Sequence, residues 1–154
     1  MSNELIKFIA TGFYSGCSPI APGTAGSLVG ILIYLLIISL QLSSISYLLL
    51  IISILLIGIW VSEKAEYIFE RKDSQKIVID EIAGILISLF MLPHGFWIVL
   101  SGFIIFRIID ISKPFYMLER LPKGFGVMMD DVAAGIATNL ILQIFLFLYP
   151  IYSG

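Results

Sequence analysis

The sequence predicts an all-α fold, a compact polytopic membrane bundle of about five to six short helices forming a single domain over residues 1–154. Three observations carry this expectation. Hydrophobic residues make up 59% of the chain and charged ones 13%, at a mean hydropathy of +1.04, whereas a soluble domain of this size needs a surface roughly a quarter to a third charged. The charges arrive in blocks, with none in residues 8–62, 82–106 or 132–154. Polar or turn-forming residues interrupt the uncharged runs where a helix pair would reverse. A net charge of −2 gives no basic field for nucleic acid, and the lone Cys17 can neither close an intrachain disulfide nor supply a thiolate metal cluster.

The first element, Met1 to Ala10, contains an acid and a base and no strong apolar run, so it reads as a short interfacial helix rather than a cleavable signal peptide. Residues 8–62 are far longer than the roughly 20 residues that cross a bilayer once, so they hold two spans. The polar stretch Gln41 to Ser46 divides them into a helix from about Ser27 to Leu42 and another from about Ile45 to Val61. The second continues through Ser62 toward Lys72. The uncharged run from Ile82 to Phe106 reads as a tight hairpin, because Leu92-Pro93-His94-Gly95 is turn chemistry near its middle. Both flanking blocks carry basic residues: Lys64, Arg71, Lys72 and Lys76 before the hairpin, Lys113, Arg120 and Lys123 after it. The excess of Lys and Arg in cytoplasmic loops then places both blocks, with Lys7, inside. A last span follows Asp131 and ends outside at Tyr149-Pro150-Ile151-Tyr152, an interfacial aromatic end. This five-span layout sets every charged residue at the cytoplasmic face or at helix ends facing it. The spans are short, about 15 to 17 residues or roughly 23 to 26 Å each.

Four polar clusters abut these spans: Pro22 to Ser27, Asp80-Glu81, Arg107 with Asp110 and Lys113, and Asp130-Asp131. Ionisable groups at the edge of hydrocarbon are costly, so they pair, face the bundle interior or line a functional cavity. One carboxylate at a helix N-terminus is accounted for by capping and the helix dipole. Two adjacent acids, twice, are not. Each acidic pair is followed within about a turn by small residues, Ala83-Gly84 and Ala133-Ala134-Gly135, that let another helix approach. Packed side by side, the two helices would gather Asp80, Glu81, Asp130 and Asp131, four hard oxygen donors suited to Mg²⁺ with waters and a substrate phosphate completing the octahedron.

Arg107 and Asp110 stand three apart on one helical face, and Lys113 precedes Pro114, which ends the helix. The set reads either as an interfacial ion pair with a snorkelling lysine or as a phosphate clamp beside the acidic site. The segment Pro22 to Ser27, whose hydroxyls are Thr24 and Ser27, opens a helix and can add donors to the same anion. Cys17 lacks an arginine at the spacing of a cysteine phosphatase loop, no aspartyl DxDx(T/V) box occurs, and His94, the single histidine, falls in the outer turn as a solvated residue. Histidine-based lipid phosphatase chemistry is thereby excluded. An ion carrier would place its acids near mid-span, where the chain has only scattered groups such as Ser88 and Asn139. A non-catalytic membrane scaffold or assembly subunit is the alternative reading.

In this order the clusters resemble the phosphatidylglycerophosphatase A family. The pieces are Pro22-Gly23-Thr24 with Gly26-Ser27-Leu28; Ile77 to Glu81 followed by Gly84; Phe106-Arg107 with Asp110 and Lys113-Pro114; and Gly124 to Asp131 followed by Ala134-Gly135. The resemblance implies a Mg²⁺-dependent phosphatase of bacterial phospholipid biosynthesis. It would hydrolyse phosphatidylglycerophosphate to phosphatidylglycerol and inorganic phosphate, in the bacterial inner (plasma) membrane with the site facing the cytoplasm. The expected ligands are Asp80, Glu81, Asp130 and Asp131, with Arg107 and Lys113 neutralising charge on the phosphate and Thr24 and Ser27 beside it. Asp110 is a ligand, the general base or the partner that orients Arg107. The nucleophile is a metal-activated water or a carboxylate.

Overall fold

The computed structural model describes residues 2–71, 74–115 and 117–148. Lys72 and the aromatic end from Tyr149 to Tyr152 lie outside the described residues. The order is α1 (Asn3–Ala10), α2 (Pro22–Ser39), α3 (Ser44–Ile68), α4 (Ile79–Ser88), α5 (Phe96–Ser112) and α6 (Gly124–Leu148), with single 3₁₀ turns at Ser15–Cys17 and Leu118–Arg120. Among the described residues there is no strand.

Local sequence accounts for the ends. Ser2 caps α1 by accepting from the Leu5 N–H, and Lys7 pairs with Glu4 at 2.9 Å on its surface. Pro22 stands at N1 of α2, where its missing N–H costs nothing. Ser43 caps α3, which runs on through the charged residues from Glu63 to Ile68 as one 25-residue helix. Lys113 closes α5 in the left-handed region at φ 45°.

The expected hairpin is present, yet its first arm is not a lipid-facing span. Eight of the ten residues of α4 are buried, and α2, α3, α5 and α6 surround it. A helix apolar on all sides belongs inside a bundle, and ten residues rise only about 15 Å against a hydrocarbon core of roughly 30 Å. Among the described residues three helices, α2, α3 and α6, are long and apolar enough to cross a membrane. The expectation of uniformly short spans of about 15 to 17 residues is corrected accordingly: α4 stops at Ser88, before the turn residues, and α3 and α6 have 25 residues each.

The main core gathers Tyr34, Ile85, Leu86, Leu89, Phe106 and Leu142 around α4. A second cluster joins Ile6 and Ala10 to Val61, Ala65, Val127 and Met128. Polar groups that looked isolated in the sequence hold α4 in place. The Asn139 amide donates to the carbonyls of Ser88 and Phe90 at 3.0 and 2.9 Å, satisfying the end of α4 where its own helix leaves acceptors unpaired. The Tyr47 hydroxyl donates to Leu86 O at 2.7 Å. His94 is exposed as expected, but it also meets the Tyr34 hydroxyl at 3.3 Å. Large exposed apolar side chains such as Leu32, Leu36, Leu56, Ile144 and Phe147 cover the outer faces of α2, α3 and α6, as lipid-facing helices require.

The acidic pair opens α4 and His94 follows its far end, so the two mark opposite ends of the bundle. In a Cys17→Ser background, single cysteines at the exposed positions Gln75 and His94 are expected to react with an impermeant thiol reagent from opposite sides of the membrane. Labelling of both in intact cells would place them on one side and overturn this arrangement.

Candidate active site

The site forms where the first turn of α4 meets the second turn of α6. Gly84 and Gly135 set how close these helices come. A Cβ on Gly135 would stand 2.6 Å from Gly84 O and 3.1 Å from Ile87 Cβ, and a backbone oxygen in a helix cannot swing aside. Gly135→Ala is therefore expected to force α4 and α6 apart at a cost of about 1 to 3 kcal/mol. The check is thermal unfolding beside Gly95→Ala, whose new methyl would meet nothing within 4 Å. An unchanged Tm for Gly135→Ala would show that the contact does not set the spacing.

This approach brings Asp80, Glu81 and Asp131 together, with one carboxylate oxygen of each within 4.8 Å of the others. Asp80 and Asp131 are buried and Glu81 is half-buried. Asp80 Oδ1 and Glu81 Oε2 are buried without a hydrogen-bond partner among the described residues. Both residues lie in the first turn of α4, outside the three membrane-length helices. Burial, above all, holds the Asp80 carboxyl well above the ordinary carboxylate range, and the adjacent Glu81 charge adds to the shift. Burial also raises the Glu81 carboxyl.

Capping does not account for the second pair. Helix α6 begins at Gly124, so Asp130 and Asp131 lie beyond the four free N–H groups of its start. The expectation that they stand at a helix foot is corrected here: the glycine-containing run from Gly124 to Met129 is itself helical. Asp130 lines the same cavity but stands outside the close trio, so three of the four expected carboxylates converge.

Arg107 faces the acids from α5. Its Nη1 donates to Asp110 Oδ2 and lies 4.0 Å from Glu81 Oε1, while its buried Nε has no partner among the described residues. Arg107, Asp110 and Glu81 keep only 16%, 13% and 14% of their side chains exposed, so little solvent screens the group. The cavity they bound has a volume of about 640 Å³, and all seven of Asp80, Glu81, Arg107, Asp110, Lys113, Asp130 and Asp131 line it.

Thr24 and Ser27 are not among the residues that line it. Because α2 begins at Pro22, Ser27 is its sixth residue, fully buried, with its hydroxyl donating back to Gly23 O at 2.9 Å. The cavity is met instead by Pro22 and Gly23 of the first turn. A Cβ on Gly23 would collide with Glu81 Oε1 and stand 3.0 Å from Arg107 Nη1, so the absence of a side chain there lets α2 close on the acid and arginine pair. Arg71, Ser74 and Gln75 also reach the cavity. Arg71 carried only a topological meaning in the sequence, since nothing in its local pattern ties it to the acids.

Residues 8–146 match the family model of phosphatidylglycerophosphatase A. The chain belongs to this family. Proteins named phosphatidylglycerophosphatase A in Haemophilus influenzae and in Escherichia coli K12 are each 37% identical to it, over 89% and 92% of this chain and 86% and 83% of their own lengths. A Bacteroides thetaiotaomicron protein provisionally named a phosphatidylinositol-3-phosphatase is also 37% identical, over 88% of this chain and 90% of its own. No solved structure matches. Membership makes the chain a phosphatase, a phosphoric monoester hydrolase, built on membrane-length helices. The four clusters that carried the resemblance in the sequence all fall within the matched residues.

Proposed function

We propose that the protein removes the terminal phosphate of phosphatidylglycerophosphate, leaving phosphatidylglycerol and inorganic phosphate, as a step of phospholipid synthesis at the cytoplasmic face of the bacterial inner membrane. The observation that supports it best is the trio Asp80, Glu81 and Asp131, two of them buried and Glu81 half-buried, gathered in one cavity with Arg107 at the end of a membrane bundle. Three close carboxylates, two of them with a buried oxygen that has no partner among the described residues, are a donor set for a hard divalent cation, and Mg²⁺ is the cation this reading assigns to them. Bound there, Mg²⁺ would polarise phosphate oxygens and neutralise part of their charge.

The chain's own residues do the rest. Arg107, oriented by Asp110, presents a guanidinium to the phosphoryl oxygens, where charge grows in the transition state. Lys113, on the cavity wall where α5 ends, adds a second positive charge. Asp130, on the same wall, accepts the proton of the attacking water as the bond between phosphorus and the glycerol oxygen breaks, and passes that proton to the departing oxygen, which leaves as the alcohol.

The name carried by the Bacteroides thetaiotaomicron relative favours a second substrate, a phosphoinositide bearing a 3-phosphate. Purified protein in detergent offered phosphatidylglycerophosphate, phosphatidic acid and phosphatidylinositol 3-phosphate separates the readings when lipid products are identified by mass and released phosphate is counted. Highest kcat/KM on phosphatidylglycerophosphate is expected. Preference for the inositol lipid would favour the second reading, and no phosphate from any of the three would favour the scaffold alternative.

A further inference from the structure

The cavity is not polar on every side. Ile111 forms part of its wall while remaining 69% exposed, and Pro19 and Ala21 also line it, flanking an Ile20 that is 81% exposed. From Ile111 an exposed apolar stripe continues along α5 through Ile108 and Ile104, and positions 104, 108 and 111 share one helical face. Arg107 and Ile111 are one turn apart on that helix, roughly 6 Å. Across the cavity the first turn of α2 approaches Arg107 at Gly23, while α2 and α5 otherwise touch over only a short stretch.

We propose that this stripe seats the acyl chains of the substrate. The lipid enters between the start of α2 and the end of α5, places its terminal phosphate by Arg107, and lays its chains over Ile111, Ile108 and Ile104. The inference rests on the lipid phosphatase reading above. A diacyl lipid must bring its phosphate to a buried polar cavity without drawing its chains out of apolar surroundings, so an apolar surface has to begin at the cavity's lip. Ile111 meets that requirement because it belongs to both. Exposed apolar residues elsewhere, such as Ile136 and Leu140 on α6, face outward without lining the cavity.

The test compares phosphatidylglycerophosphate carrying eighteen-carbon chains with the six-carbon form in one detergent. The readout is the ratio of kcat/KM for the two. Wild type is expected to prefer the long chains, and the double variant Ile108→Ala/Ile111→Ala to lower the ratio about tenfold, in line with the apolar contact removed. Both substrates are assayed on one sample, so any loss of folded protein cancels from the ratio. The control Ile136→Ala/Leu140→Ala should leave it unchanged. No chain-length preference in wild type, an unchanged ratio in the double variant, or an equal fall in the control would each overturn the acyl seat while leaving the phosphatase reading intact. Turnover of neither lipid by wild type would remove that reading and the inference with it.

Discussion

Replacing Glu81 or Asp131 by Ala is expected to reduce turnover on the order of a thousandfold or more while leaving the protein folded. Each supplies an oxygen to a trio confined within 4.8 Å, and a cation held by three carboxylates does not keep its position when one is removed. The effect on folding runs the other way. The acids are desolvated beside one another, so deleting one relieves repulsion and removes a buried charge. Asp131 is the cleaner test, because Glu81→Ala also deletes the carboxylate 4.0 Å from Arg107. Phosphate release should be followed across Mg²⁺ concentrations beside thermal unfolding. Near-normal turnover in both variants would dismiss the metal assignment.

Arg107→Lys carries the next largest expectation, a fall in kcat of roughly thirty- to a thousand-fold, equivalent to about 2 to 4 kcal/mol of lost transition-state stabilisation. Lysine keeps the charge and much of the stem but not the planar fork. In the structure one corner of that fork engages Asp110 and approaches Glu81, while Nε has no partner among the described residues. A merely structural ion pair would tolerate an ammonium; a guanidinium that orients against Asp110 while contacting phosphate would not. Saturating lipid and Mg²⁺ isolate kcat, and combining the change with Asp110→Asn shows whether the two act as one unit. Turnover within about threefold of wild type, only about 0.6 kcal/mol, would return Arg107 to the role of an interfacial ion pair.

Much of this site was legible in the sequence because charge is scarce there. In a chain with 13% charged residues, a charge beside an apolar run needs a reason, and seven residues chosen on that ground line a single cavity. The hairpin was legible from Leu92 to Gly95. What the pattern did not carry was which apolar helices face lipid and which face protein. The apolar residues of α4 look the same in either setting, and only the surrounding four helices make it the core. Helix starts were also blurred. The expected spans begin at about Ser27 and after Asp131, yet the runs Pro22 to Gly26 and Gly124 to Gly126 ahead of them are helical too, and glycine permits close approach at Gly23 and at Gly124, where a Cβ would collide with Ile59 O. That shift moved Ser27 into the core and Asp130-Asp131 into the second turn of α6. Adjacent helical positions point about 100° apart, so Asp131 joins Asp80 and Glu81 while Asp130 faces the cavity from beside them.

The central claim, that the buried carboxylates hold a divalent cation on which lipid dephosphorylation depends, is tested most directly by titrating Mg²⁺ into chelator-stripped protein. Phosphate release from phosphatidylglycerophosphate and heat of binding are measured on the same preparation. Wild type should be inactive when stripped, regain full turnover as Mg²⁺ saturates, and bind it with a midpoint matching the return of activity, whereas Asp131→Asn should lose that midpoint in both signals. Full turnover in stripped wild type, or an unchanged midpoint in Asp131→Asn, would contradict it.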